Sequence, residues 1–236
     1  MKLVTWNCAR GFAKKAERIF SGSPDIAVIQ ECSEKSTEMF VAEGYVGHWA
    51  GGDTPNIGMG VFHKADWSLR KLSESTEICP KWVVPFEVTG PVNFTLIAVW
   101  ACAIKGSRSA SYVGQIHKAL NESPEWFDES PIVMAGDFNS NAQLDKNRRT
   151  ENHSSMVNKL RKRGMTSAYH AHYKKEHGVD EVPTFHMYRR AALPYHFDYV
   201  FLPLEWQSGM RVEIGTHSDW ATQSDHCPVT VDVSLV

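Results

Sequence analysis

No apolar stretch in the sequence is long enough to cross a bilayer. The longest, such as Phe94 to Ala103, run about ten residues, where a spanning helix needs roughly twenty. An export signal is missing too. Met1-Lys2 leads at once into Leu3-Val4-Thr5-Trp6, without the apolar core and small-residue cleavage site of a secretory leader, so a cytosolic chain with no membrane partner is expected. Cysteine is scarce: the five residues Cys8, Cys32, Cys79, Cys102 and Cys227 are widely spaced and form no C-x-x-C pair. That excludes a disulfide framework and a cysteine zinc site, and predicts reduced, buried thiols. Low-complexity tracts and fixed repeats are also missing, which excludes disordered, collagen-like and solenoid classes. There is little net charge: −2 over 236 residues lacks the basic excess common among nucleic-acid binders. The length suits one domain over 1–236, and nothing in the composition points to an obligate protein partner, so a monomer is expected.

The small net charge hides a division. Residues 141–190 carry 11 basic against 5 acidic side chains, a local +6 that leaves −8 for the rest of the chain. Asymmetry of this kind points to a polyanionic partner or to a solvated face. Short β-branched and aromatic runs recur at Lys2–Trp6, Ile26–Gln30, Gly58–His63, Trp82–Val88, Phe94–Trp100, Ile132–Ala135, Phe197–Leu202 and Val229–Val233. Several are apolar almost throughout, as strands buried on both faces should be. Helical patterns span Phe12–Phe20, Lys35–Ala42, Ser111–Leu120 and Ser154–Arg163, with Ser33 and Asn152 as N-caps and Gly44 and Gly164 at C-cap positions. Strands outnumber helices and do not alternate strictly with them, so the pattern fits two sheets flanked by helices better than a doubly wound sheet. The lone Gly58-Met59-Gly60 inside a strand predicts a close backbone approach.

Four polar islands follow apolar strands, where working residues of a layered α/β scaffold commonly sit. They are Trp6-Asn7; Asp25 through Gln30-Glu31; Gly136-Asp137-Phe138-Asn139; and His196-Phe197-Asp198-Tyr199 together with Ser224-Asp225-His226-Cys227-Pro228. Any one of them could be a turn or a cap. Together Asn7, Glu31, Asp137, Asn139, Asp198, Asp225 and His226 supply hard oxygen ligands, amide donors and one imidazole. Such a set suits Mg²⁺ or Mn²⁺ bridging to a phosphate. It also contains what phosphate-ester hydrolysis needs: a carboxylate base, a histidine and a place for a metal. G-x-S-x-G, Walker A and H-E-x-x-H motifs are absent, and the irregular spacing of His153, His170, His172, His177 and His186 argues against zinc.

These pieces, in this order and across nearly the whole chain, resemble the endonuclease/exonuclease/phosphatase superfamily. Its members include abasic-site endonucleases, pancreatic-type deoxyribonucleases, deadenylases, neutral sphingomyelinases and inositol-polyphosphate 5-phosphatases. The matching segments are Val4–Asn7, Asp25–Glu31, Ala135–Ser140, Phe197–Phe201 and Ser224–Val229. The resemblance implies a four-layer α/β sandwich, two mixed β-sheets face to face with helices outside. It implies Glu31 as the main metal ligand, with Asn7 and Asp225 nearby; Asp137 orienting or deprotonating the water; Asn139 donating to the phosphoryl oxygen or holding that water; and His226 contacting the scissile phosphate while Asp198 accepts from its other ring nitrogen. Departures bear on substrate. Trp100-Ala101-Cys102 stands where relatives carry a phosphate-contacting Tyr or His, so Trp100 is packing or a stacking surface, and Lys105 and Arg108 are candidates for the lost contact. Arg148 and Arg149, just after the Asp137–Asn139 loop, are expected to rim the site and track a backbone, and Trp220 is a candidate for base stacking. The expected activity is metal-dependent hydrolysis of nucleic-acid phosphodiesters, DNA first, with Mg²⁺ or Mn²⁺ as cofactor. The alternatives are a phosphomonoesterase or phospholipid diesterase on the same scaffold, and a non-catalytic nucleic-acid-binding module.

Overall fold

A computed structural model of the chain describes residues 1–40, 44–51, 54–72, 82–107, 111–127, 131–145 and 150–234. In chain order its strands are β1 (Lys2–Asn7), β2 (Ile26–Cys32), β3 (Tyr45–Gly51), β4 (Gly58–Lys64), β5 (Ser68–Lys71), β6 (Val83–Thr89), β7 (Phe94–Trp100), β8 (Ile132–Asp137), β9 (Met165–Ser167), β10 (Phe185–His186), β11 (Pro194–Tyr195), β12 (Asp198–Pro203), β13 (Arg211–Ile214) and β14 (Val229–Asp232). The α-helices are α1 (Ala16–Phe20), α2 (Glu34–Glu38), α3 (Val113–Glu122), α4 (His153–Arg161), α5 (Ala168–Tyr173) and α6 (His217–Trp220). One six-stranded sheet runs β13-β14-β1-β2-β4-β3 and the other β5-β6-β7-β8-β12-β9, while β10 and β11 form a separate hairpin. Each large sheet is mixed: β1 lies parallel to β2 and β7 parallel to β8.

The period-2 alternation of the strands builds the layers. Leu3, Ile26, Val28 and Val61 of the first sheet meet Phe86, Leu96, Ala98, Val133, Ala135 and Val200 of the second in one buried cluster between the sheets. The alternate residues face outward. Trp6, Ala27, Ile29 and Phe62 are covered by Phe12, Ile19 and Phe40, and Ile97, Val99, Met134 and Phe201 by Ile116, Leu120, Met156 and Leu160. Helix, sheet, sheet, helix is the four-layer sandwich expected from the sequence.

The local signals behave as their chemistry requires. Asn152 and Ser155 close a reciprocal capping box on α4, and Gly44 and Gly164 take left-handed φ of 81° and 72°. Gly136 has no alternative to glycine. Its φ is 152°, and a Cβ there would lie 1.9 Å from the Val99 carbonyl oxygen of the paired strand. Gly58 and Gly60 confirm the close approach, since a Cβ would meet the Trp49 ring at 2.7 Å and Cys32 Sγ at 2.8 Å. Two helices differ from expectation. The Phe12–Phe20 pattern breaks at Lys15 (φ −122°) into a 3₁₀ turn, Phe12–Lys14, and α1; α2 ends at Glu38, and residues 41–43 lie outside the described ones. Among the described residues, no helix is long and apolar enough to cross a membrane.

Candidate active site

The same alternation that builds the core delivers its polar residues. Asn7 shares the inward parity of Leu3, Asp137 that of Val133 and Ala135, and Asp198 that of Val200 and Leu202. All three sit at strand ends, so they meet where the two sheets open, and Asp198 pairs directly with Asp137 across β12 and β8. Glu31 has the opposite parity and would face outward in a regular strand. Instead the β2–β4 register shifts between Gln30 and Cys32, and Glu31 takes a left-handed φ of 59°. This bulge re-aims the carboxylate, which accepts from Asn7 Nδ2 at 3.2 Å. The Asn7 amide also donates to Asp137 Oδ2 at 3.1 Å and so ties the two sheets together.

Asp137 is fully buried and accepts from both the Asn139 backbone N–H and the Asn139 side-chain amide at 2.9 Å, with Asn139 held at φ 44°. Burial, reinforced by the Asp198 charge, raises the Asp137 carboxyl to about 7 against the opposing pull of His226 and Asn7. His226 Nδ1 lies 2.8 Å from Asp198 Oδ2, and Nε2 lies 3.9 Å from Asp137 Oδ2. Burial alone would depress the imidazole. The charges of Asp198 and Asp137 outweigh it and lift His226 to about 9. The 3.9 Å gap is too long for a hydrogen bond, yet a single oxygen atom can sit ~2.8 Å from both groups. A proton acceptor and a cationic donor thus face each other across a separation that one oxygen atom would span.

Several groups that the sequence reading gave no role hold this arrangement. Thr184 Oγ1 accepts from the backbone N–H groups of Phe197 and Asp198, and the Thr184 carbonyl accepts from Cys227 N–H. Ser224 Oγ donates to the Asn7 carbonyl at 2.7 Å and accepts from His226 N–H, and Trp6 Nε1 donates to the His226 carbonyl. The Phe185 ring lies 4.6 Å from the His226 ring. Ser224 stood in a quoted motif and could have been found by its place beside His226. Thr184 and Phe185 sit in no such motif.

The other expected residues fall out differently, and one is corrected. Trp220 is no stacking surface: it is 9% exposed, packs edge-on against Trp6 at 5.0 Å and carries the Arg18 guanidinium over its ring at 4.3 Å. An indole between two core elements is worth more buried than presented to a base. Trp100 resolves to packing, buried against Trp82 in the core between the sheets. Lys105 lies on an exposed turn closed by an Ile104–Ser107 bridge. Arg108, Arg148 and Arg149 fall outside the described residues. Cys227 is buried, with its thiol pushed up to about 12, and so is packed rather than reactive.

The site also fits a small hard cation. Glu31, which accepts from the Asn7 amide, and Asp225, whose Oδ1 lies 3.4 Å from Ser224 Oγ, are the oxygen donors left for it, because Asp137, Asp198 and His226, though within 4.8 Å of one another, form a set in which His226 is itself the cation. The neutral amide of Asn7 bridges the Glu31 and Asp137 carboxylates, so oxygen donors converge there. Oxygen donors without thiolates are the chemistry of Mg²⁺ or Mn²⁺ sites.

No protein-family model matches the sequence, and comparison with curated proteins finds no significant match. Solved structures do match. The 3′ phosphatase NExo from Neisseria, bound to a product DNA hairpin, superposes with a TM-score of 0.72 at 19% identity, covering 100% of both chains. An AP endonuclease from Archaeoglobus fulgidus gives 0.68 at 16% identity, again with full coverage of both. The catalytic domain of Xenopus laevis APE2 gives 0.70 at 16%, over 99% of this chain and 91% of that one. The chain has the endonuclease/exonuclease/phosphatase fold, also called DNase I-like, over its whole length.

Proposed function

We propose that the protein is a divalent-metal-dependent phosphoesterase that hydrolyses nucleic-acid phosphodiesters, with DNA as its substrate. The observation that carries this is the 3.9 Å separation between buried Asp137 and a His226 imidazole held by Asp198, which makes room for one oxygen of a reacting water or phosphate. A carboxyl poised near 7 accepts a proton from water at neutral pH, and an imidazole raised to about 9 remains a cation facing the phosphoryl oxygens. Asp198 fixes the ring so that Nε2–H points into the site. Asn139 holds Asp137 and presents its amide beside the attacked phosphorus. Asn7, Glu31 and Asp225 are the residues that would hold the metal. A bound divalent cation supplies charge neutralisation for the phosphoryl and leaving oxygens.

The substrate class is supported by what borders His226. The β10–β11 hairpin, which bridges to His226 through Phe185, carries at its tip Tyr188, 75% exposed, with Arg189 and Arg190. The tip is tethered by Arg189, whose guanidinium donates to the Thr222 carbonyl and whose carbonyl meets His217 Nε2. Exposed basic side chains beside an aromatic suit a phosphodiester polymer. One protein sharing the fold, the 3′ phosphatase NExo from Neisseria, is bound to a product DNA hairpin. Replacing Arg189 and Arg190 together by glutamine is expected to weaken duplex binding and to lower the slope of log affinity against log salt by about one to two units, leaving a small diester unaffected. Equal slowing of the small diester would remove the hairpin from substrate binding.

The deciding assay compares supercoiled plasmid, single-stranded DNA, RNA and soluble phosphate monoesters and headgroup diesters, each with Mg²⁺ or Mn²⁺. Cleavage of DNA in preference to the rest is expected. Turnover of a small ester with no polymer cleaved would move the protein to the headgroup reading, and binding without turnover of anything to the non-catalytic one.

A further inference from the structure

The loop after Asn7 is strained in an unusual way. Ala9, Arg10 and Gly11 take φ of 47°, 67° and 64°, three consecutive left-handed residues of which two carry a Cβ. Non-glycine residues are disfavoured there because the Cβ crowds the backbone, so something must hold the turn. The holder is Lys15. Its ammonium donates to the carbonyls of Cys8 at 2.6 Å, Arg10 at 2.8 Å and Gln223 at 2.5 Å, and lies 5.9 Å from the centre of the Trp6 ring. Three N–H groups thus meet three neutral acceptors, from two segments more than 200 residues apart in sequence. Among the described residues, no carboxylate forms an ion pair with it. The clamped segments begin one residue after Asn7 and end two before Asp225. They are joined a second time by Ser224 Oγ donating to the Asn7 carbonyl, and the Asn7 side chain accepts from Ala9 N–H.

We propose that Lys15 is a positioning residue for the cation site. By gathering carbonyls from both segments it fixes Asn7, at the end of β1, relative to Asp225. The proposal rests on the reading of Asn7, Glu31 and Asp225 as the metal's ligands. It makes a prediction opposite in sign to simple electrostatics. Removing a positive charge close to Glu31 and Asp225 should by itself tighten cation binding, whereas loosening the two arms should weaken it.

The test is Mn²⁺ titration of metal-free protein by calorimetry, paired with backbone amide exchange. Lys15→Met is expected to weaken Mn²⁺ binding about tenfold or more, the range seen when groups behind a metal ligand are removed. Exchange should accelerate together at Ala9–Gly11 and at Asp225–His226, and not in the core strands. With Mn²⁺ saturating, turnover should stay within about threefold of wild type. Lys15→Arg should restore little, because a planar guanidinium cannot serve three converging carbonyls. Lys15→Gln, uncharged but with two N–H donors, provides a milder loss if the methionine variant does not fold. Unchanged or tighter Mn²⁺ binding overturns the proposal, and faster exchange with unchanged Mn²⁺ affinity overturns it by reducing Lys15 to a structural clamp. Glu31→Gln separates the two failures. If it binds Mn²⁺ as wild type does, the ligand reading fails and takes the proposal with it. If it loses Mn²⁺ while Lys15→Met does not, the proposal alone fails.

Discussion

Replacing His226 by alanine is expected to lower turnover of a DNA diester by about 10²-fold to 10⁴-fold with little effect on binding, because it removes the cation facing Asp137 across the reacting oxygen. The pH dependence is the sharper signature. Activity requires Asp137 without its proton and His226 with one, so kcat/KM should climb toward pH 7, hold, and fall as pH passes 9. The two groups share a buried site and titrate as a pair. Asp198→Asn separates them: without the charge 2.8 Å from Nδ1, burial prevails, and the alkaline limb should move to lower pH as the rate drops. The same fall should appear in the imidazole titration of metal-free protein followed by NMR. An alkaline limb that stays in place in Asp198→Asn would falsify the role given to His226.

Much of this site was legible in the sequence because strand alternation does the placing. Once Leu3, Val133 and Val200 are read as core, the parity of Asn7, Asp137 and Asp198 follows, and with it their meeting where the sheets open. Glu31 was legible as a residue type but not in geometry. Only the register shift and left-handed backbone after Gln30 bring an outward residue around to Asn7, and a bulge has no period to read. Trp220 misled because an aromatic near a motif looks the same whether presented or buried; its partner Trp6 lies more than 200 residues away in sequence. Strands β3, β5, β9, β10, β11 and β13 were missed for a related reason. They are short or mixed, β3 containing His48 and two glycines, and pairing with a neighbour rather than propensity holds them in place. The histidines were the largest omission. Their irregular spacing gave no local motif to read, yet the fold gathers His153, His170, His177 and His196 into one group.

That group predicts sensitivity to acid. His153, 1% exposed, lies 3.0 Å from Ser140 Oγ through Nδ1 and 3.0 Å from His177 Nδ1 through Nε2. His177 stacks on His170, which meets Ser167 Oγ and Asp180. Burial, reinforced by the neighbouring His170 and His196, outweighs the opposing charges of Asp145 and Asp180 and lowers the His153 imidazole to about 4. The unfolded chain therefore takes up this proton first. The associated stability is complete above about pH 6.5 and is lost as pH falls toward 4, on the order of 2 kcal/mol gone by pH 5. Two other groups act differently. His226, raised to about 9, contributes fully below 6.5 and loses its contribution as pH rises through 9. Asp137, raised to about 7, binds its proton first in the folded state and so offsets His153 over the same acid range. The effect must therefore be read as a difference between variants. His153→Gln keeps a polar partner for Ser140 and cannot titrate. Between pH 7.5 and pH 5, wild type is expected to lose about 2 kcal/mol more in urea unfolding than this variant, equivalent to roughly 4–8 °C in Tm. Because Ser140 directly follows Asn139, the same protonation should loosen the Asp137–Asn139 loop, and its amides should lose exchange protection ahead of global unfolding. Parallel stability curves for the two proteins would show that His153 is not the titrating group.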